Sequence, residues 1–235
     1  MNTEHYRAHM TAETLMGPNC VRILEELLLR HPLKLNAEDI VLDLGCGKGL
    51  TSLVLAKETG AKVFASDLWT PAQENEKRFV DWGVGERVTP FQENADSLQF
   101  EKGLFRALVS VDAYHYFATE HGFFAEKILP FLGSGAEVLI GVPGVKEAYS
   151  VRSEELLRPW LRDEAYMFKS PQAWKAIIGS DERIAFAETW EMACFDTAWG
   201  DWLAMDQPFA RGDSRFFDTI IRPYTCFAGI YVRLK

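Results

Sequence analysis

A run of glycines and three separate acidic side chains carry the first hint of chemistry in this chain. In Val41-Leu42-Asp43-Leu44-Gly45-Cys46-Gly47-Lys48-Gly49, an apolar run gives way to glycines, which let a backbone turn tightly and approach a ligand with no β-carbon in the way. The spacing is GxGxG. The dinucleotide fingerprint GxGxxG would require glycine at position 50, which is Leu50. Asp67 closes a second apolar run and is followed by Leu68 and Trp69; a carboxylate with two acceptor oxygens suits a vicinal diol. A third polar break, Asn94-Ala95-Asp96, holds residue types that also serve as helix caps. The fourth is Ser110-Val111-Asp112-Ala113-Tyr114-His115-Tyr116-Phe117. Here His115 is the candidate general base, because an unperturbed imidazole pKa of about 6.5 suits proton removal near neutrality. Tyr114 and Tyr116 are candidates for lining a pocket, and core packing is the plain alternative for all three rings.

These residues need elements to position them. Pro18 to Arg30 places Val21, Leu24, Leu27 and Leu28 at helical spacing, and His31-Pro32 ends the helix. Asp39–Leu44, Ala61–Ser66, Arg87–Phe91, Ala107–Val111 and Glu137–Val142 are expected as buried strands. Helices are expected from Leu50 to about Glu58, from Thr70 (as N-cap, with Pro71 first in the helix and Gln73 reaching back), and from Glu120 to Leu129. After Gly144 come a polar, partly helical stretch, a helix from Pro171 to about Ile178, and strands over Arg183–Met192 and Thr225–Arg233. Alternating strands and helices, with strands apolar on both faces, predict a parallel sheet covered on each side. The expected organisation is a single domain over 1–235, with an α/β core at 35–142 and two inserted segments, 145–170 and 196–222, covering the site. Tyr149, Trp160, Trp199 and Trp202 are the expected covering residues, and the charges there, Asp201, Asp206 and Asp213 included, are expected to form a solvated face.

Composition narrows the class. The 235 residues are 48% hydrophobic and carry a net charge of −9, enough chain for one sizeable core and a sign that repels nucleic-acid backbones and anionic lipid. The four cysteines show no CxxC spacing, which fits reduced thiols. The opening residues lack the apolar run of a secretory leader and no stretch has the length of a membrane span, so a cytoplasmic protein without membrane attachment is expected. No metal is expected. His5 and His9 form an HxxxH in a terminus expected to be mobile.

VLDLGCGKG resembles motif I of the class I S-adenosylmethionine-dependent methyltransferases, and the likeness extends over roughly residues 38–145 with its landmarks in order. The resemblance implies a Rossmann-like seven-stranded sheet, mostly parallel, with the last strand antiparallel. It also implies S-adenosylmethionine as methyl donor and S-adenosylhomocysteine as product. Carried over by residue, Gly45, Cys46, Gly47 and Gly49 would form the loop under the methionine and ribose. Asp43 would orient that loop and the amino end, and Asp67 would accept both ribose hydroxyls. Leu68 and Trp69 would flank the adenine, Ala95 and Asp96 would meet its edge, and Asp112 would meet the methionine amine. DAYHYF, MGPN ahead of the first helix and SDLW after the second strand are similar to a bacterial subset of small-molecule methyltransferases. The implied partner is therefore a small-molecule acceptor methylated by in-line displacement, and the expected state is a monomer or homodimer. Base-modifying relatives carry an Asn/Asp-Pro-Pro-aromatic motif after the fourth strand; here that position reads VDAYHY, and the net charge is of the wrong sign. A protein methyltransferase and a cofactor-binding module without turnover are compatible with the same residues.

Overall fold

Seven strands form one sheet in the order β3-β2-β1-β4-β5-β7-β6, in a computed structural model that describes residues 1–235. They are β1 (Ile40–Leu44), β2 (Lys62–Asp67), β3 (Val88–Gln92), β4 (Phe105–Val111), β5 (Leu132–Val145), β6 (Ile184–Glu191) and β7 (Thr225–Leu234). Pairing is parallel from β3 through β5, and β7 runs antiparallel to both β5 and β6. This is the Rossmann-like methyltransferase arrangement, mostly parallel with the last strand inverted. β5 is longer than its apolar run because β7 pairs along it from Glu137↔Arg233 to Val145↔Thr225.

Side chains alternate between two apolar layers, as a pleated strand requires. Val41 and Val109 join one layer with Val21, Leu24 and Leu27 of α1 (Cys20–Arg30), Leu53 and Val54 of α2 (Leu50–Thr59) and Phe79 of α3 (Ala72–Asp81). Leu42, Leu108 and Val138 face the other, with Phe124, Ile128 and the Trp174 of α5 (Pro171–Ile178). Each such side chain, fully buried, contributes about 1.5–3 kcal/mol relative to exposure.

Three local expectations are corrected. Thr70 does not cap α3: Pro71 is the N-cap and no side chain caps the helix, and the Thr70 N–H expected to meet Gln73 donates to Asp67 Oδ1 instead (2.8 Å). The expected helix at Glu120–Leu129 is a π turn, Phe124–Ile128, running into a 3-10 turn, Leu129–Phe131; Pro130 there cannot donate to an α-helical ladder. The N-terminus is docked rather than loose. Thr3 Oγ1 donates to Glu25 (2.6 Å) and Tyr6, 4% exposed, donates to Glu58 (2.7 Å).

The sheet order reverses between β1 and β4, so the carboxyl ends of these strands open a crevice where ligands bind in such folds. Two segments rise over that end. One is α4 (Ser153–Leu161) with the 3-10 turn Arg162–Met167; the other is α6 (Phe195–Leu203) with α7 (Pro208–Ser214). Asn19, the N-cap of α1, ties the second to the body: its Nδ2 donates to Asp201 (2.7 Å), which also accepts from Arg22 Nε (2.9 Å).

Candidate active site

The glycine loop folds back against the β4 end. Gly45 has φ 76°, and a Cβ there would lie 2.2 Å from that of Ala113; Gly47 has φ 51°, with Met16 Sδ 3.1 Å from where its Cβ would stand. Only glycine accepts that backbone without strain, and the lack of side chains leaves the loop as a bare floor. Gly45, Cys46 and Gly47 line the crevice together with Met16, Gly17, Asp67, Asp112 and Tyr116. Gly49 does not. It is the left-handed N-cap of α2, packed so closely on Phe79 that a Cβ would fall 2.4 Å from the ring.

Asp67, at the tip of β2, is the organising acid. Its Oδ2 accepts from the Gly47 N–H (2.9 Å), and Oδ1 accepts from the N–H groups of Trp69 (2.9 Å) and Thr70 (2.8 Å). A carboxylate has about four acceptor positions, so roughly one stays free for a hydroxyl. Meeting both hydroxyls of a diol, as expected from sequence, would require sharing an oxygen with a backbone donor. Beyond Asp67 the crevice continues along Leu68, Trp69, Glu93, Asn94, Ala95, Asp96, Tyr116 and Phe117. The rings of Trp69 and Tyr116 meet edge to face at 5.1 Å. Asn94 caps the following 3-10 turn, accepting from the Asp96 N–H (3.0 Å), while the Asp96 side chain is exposed.

Asp43 lies beneath the loop, fully buried and outside the crevice lining. Its Oδ2 accepts from Thr51 (2.7 Å) and Ser52 (2.5 Å) at the start of α2, and Oδ1 has no partner. Burial pushes its pKa up to about 6 against the pull of those hydroxyls. Its contact is with the helix that carries the loop, not with the crevice.

Past Asp112 the crevice opens into a second cavity of about 680 Å³, solvent-connected. Met16, Gly17, Pro18, Asp112 and Tyr116 line both spaces. The second is walled by His115, Trp160, Phe168, Trp199, Trp202 and Phe209, with Glu164 and Asp213 as further acids. Asp112 sits at φ 56°, an uncommon backbone for a non-glycine residue and one that clusters at functional sites. Burial, then the charge of Asp213, raises its pKa to about 7. Tyr116 is raised as well, by burial first and then by Asp112, Glu164 and Asp213.

Sequence and site part company at several residues. Tyr114 lines no part of the cavity. It is fully buried between Phe117, Phe123 and Trp174 because a 3-10 turn, Tyr114–Tyr116, sets successive side chains about 120° apart and turns this one into the core. His115 does line the cavity, but burial holds its pKa down to about 3, so the ring is neutral and a weak base at pH 7. Its Nδ1 has no partner. Tyr149 packs on Tyr224 away from the cavity. Asp213, expected on a solvated face, instead accepts from two indoles, Trp160 Nε1 and Trp202 Nε1, both at 2.9 Å. Met16, Cys20, Glu164, Met167 and Phe168 were not anticipated; only the apolar character of the 145–170 stretch between its charges marked the last two. No group of three or more His, Cys, Asp or Glu is spaced to hold a metal, and no helix is long and apolar enough to cross a membrane.

Comparison with known proteins fits this geometry. Residues 41–130 match a family model described as a methyltransferase domain. The geranyl diphosphate C-methyltransferase of Streptomyces coelicolor A3(2), solved with Mg²⁺, geranyl diphosphate and S-adenosylhomocysteine, superposes with TM-score 0.71 at 15% identity, over 89% of this chain and 78% of that one. Phosphoethanolamine N-methyltransferase 2 of Haemonchus contortus, solved with S-adenosylmethionine, gives 0.72 at 20%, over 94% of this chain and 54% of that one. YjhP of E. coli gives 0.63 at 19%, over 91% of both chains. Residues 41–130 thus resemble a methyltransferase domain, and the chain shares the fold of these S-adenosylmethionine-dependent enzymes.

Proposed function

We propose that this chain is an S-adenosylmethionine-dependent methyltransferase acting on a small-molecule acceptor held in the aromatic cavity beyond Asp112. The observation that carries the reading is the continuity of two spaces through Asp112 and Tyr116, with one space floored by bare glycine backbone and the other roofed by indoles. The glycine floor, the Asp67 carboxylate and the Trp69–Tyr116 pair fit S-adenosylmethionine. When bound, it supplies an electrophilic sulfonium methyl group and leaves as S-adenosylhomocysteine.

Gly45, Cys46 and Gly47 would run beneath the methionine and ribose. Asp67 would accept from the ribose with an orientation fixed by three backbone N–H groups. Leu68 and Trp69 would flank the adenine, with Ala95 N–H and the exposed Asp96 at its edge. Asp112 would draw the methionine amine to the junction of the two spaces. Asp43 and Gly49 act through α2 and the loop, as positioning residues.

His115 serves the acceptor as a neutral hydrogen-bonding ring, and Tyr116 as a wall common to both sites. Much of the rate then derives from alignment, since oriented groups reach effective molarities equivalent to about 7–11 kcal/mol of barrier. Segments 145–170 and 196–222 act as a partial cover, shielding the transfer with Trp160, Phe168, Trp199 and Trp202 while leaving a mouth to solvent.

Incubation with methyl-labelled S-adenosylmethionine and a metabolite extract tests the reading. Label should appear in a small product. Label in nucleic acid or protein alone, or donor binding with no labelled product from any pool, would overturn it.

A further inference from the structure

The cavity beyond Asp112 has a charge pattern that selects among acceptors. Three carboxylates, Asp112, Glu164 and Asp213, line it, and no lysine or arginine does. The one histidine, His115, is 2% exposed, and burial keeps it uncharged at neutral pH. Between the acids stand aromatic panels set nearly at right angles: Trp160 to Phe168 at 5.5 Å and 80°, and Trp160 to Trp199 at 5.9 Å and 63°. Asp213 is held in this cage by the indole N–H groups of Trp160 and Trp202, so its charge is fixed in place.

The cavity also carries buried polar atoms with nothing to bond. Trp199, 3% exposed, has an unpartnered Nε1, and His115 has an unpartnered Nδ1. Buried polar atoms are nearly always paired, and these two, each closed off from solvent, are exceptions.

We infer that the acceptor is an amine, cationic in solution and carrying an apolar or aromatic body, received between the indole faces and the carboxylates of Asp213 and Glu164. This rests on the cavity being the acceptor site. Aromatic faces attract ammonium groups through their quadrupole, and fixed carboxylates reinforce the attraction. A phosphate or carboxylate acceptor would meet the carboxylates of Glu164 and Asp213 with no lysine or arginine to offset them. The ammonium gives up one proton to solvent before its nitrogen can be alkylated, and the cavity mouth, where Phe209 is 79% exposed, is open to water.

Calorimetry with S-adenosylhomocysteine already bound, using phenethylamine, 2-phenylethanol, 3-phenylpropionate and phenethyl phosphate as probes, tests this. The ammonium should bind about tenfold more tightly than the alcohol, a sum expected from one cation–π contact and one partly exposed ion pair, and the two anions should not bind. Glu164→Gln and Asp213→Asn should each reduce the ammonium preference about threefold, leaving alcohol and S-adenosylhomocysteine affinities within about twofold. Glu164 is exposed and holds no structural contact, so its variant stays informative if Asp213→Asn disturbs the indole clamp. An alcohol or anion binding as tightly as the ammonium, or no probe binding at millimolar concentration, would overturn the inference. Failure of S-adenosylhomocysteine itself to bind would instead overturn the functional reading beneath it.

Discussion

Asp67→Ala separates a site acid from a mere loop cap. In the wild type the carboxylate accepts three backbone N–H groups and keeps roughly one acceptor position for a ligand hydroxyl. Hydrogen bonds to a charged group contribute about 1.5–3 kcal/mol each, so losing one ligand bond should weaken S-adenosylhomocysteine by about 10- to 150-fold. The fold should suffer less. Trp69 is 62% exposed and water can reach its amide, whereas the Thr70 N–H, in a residue 5% exposed, is stranded, at about 1–3 kcal/mol. Titration calorimetry gives the affinity, and thermal unfolding without ligand gives the stability term separately. An affinity within twofold of wild type, in a folded variant, would refute the assignment of Asp67 to the ribose.

Gly45→Ala should both destabilise the fold by about 2 kcal/mol or more, from the φ of 76° and the clash with Ala113, and abolish S-adenosylhomocysteine binding; a Tm near wild type would contradict the loop geometry. Asp112, with a folded pKa of about 7, holds its proton more tightly folded than unfolded, so stability declines as pH rises from about 4 toward 7. Asp112→Asn should match wild type in acid and exceed it by about 1–3 kcal/mol above pH 7, less than a dry interior would give because the carboxyl opens on a solvent-connected cavity; urea unfolding across pH checks this. His115 shows the opposite slope. With a folded pKa of about 3 against about 6.5 unfolded, stability is retained above pH 6.5 and lost as pH falls toward 3, so His115→Gln should lose less stability between pH 6.5 and 4 than wild type. His115→Ala should slow turnover with S-adenosylhomocysteine affinity within about twofold; full activity would contradict its role at the acceptor.

What was legible in the sequence is what local patterning specifies. The apolar runs that became β1 and β2, the glycine spacing between β1 and α2, and Asp67 at a strand tip depend on residues a few positions apart. They placed the crevice before any coordinates did. Trp160, Trp199 and Trp202, expected as covering residues, do line the second cavity; the inward turn of Asp213 was not legible, because its meaning is tertiary. Asp213 acquires its role from indoles 53 and 11 residues away, and a run of aspartates gives no local sign of which one turns inward. The departure of Tyr114 has a similar origin: a three-residue 3-10 turn puts its ring in the core and that of Tyr116 on the wall. His115 lines the second cavity, yet its protonation depends on burial that composition does not report. Asp43 and Gly49 carry the motif pattern, yet packing sets both one layer below the crevice surface.

A crystal structure of the chain with S-adenosylhomocysteine tests the central claim most directly. It should place the ribose on Asp67, the adenine between Leu68 and Trp69, and the sulfur at the junction of Asp112 and Tyr116, directed toward the indole-lined cavity. A nucleoside lying elsewhere, or a crevice that S-adenosylhomocysteine fails to enter at saturating concentration, would contradict the account.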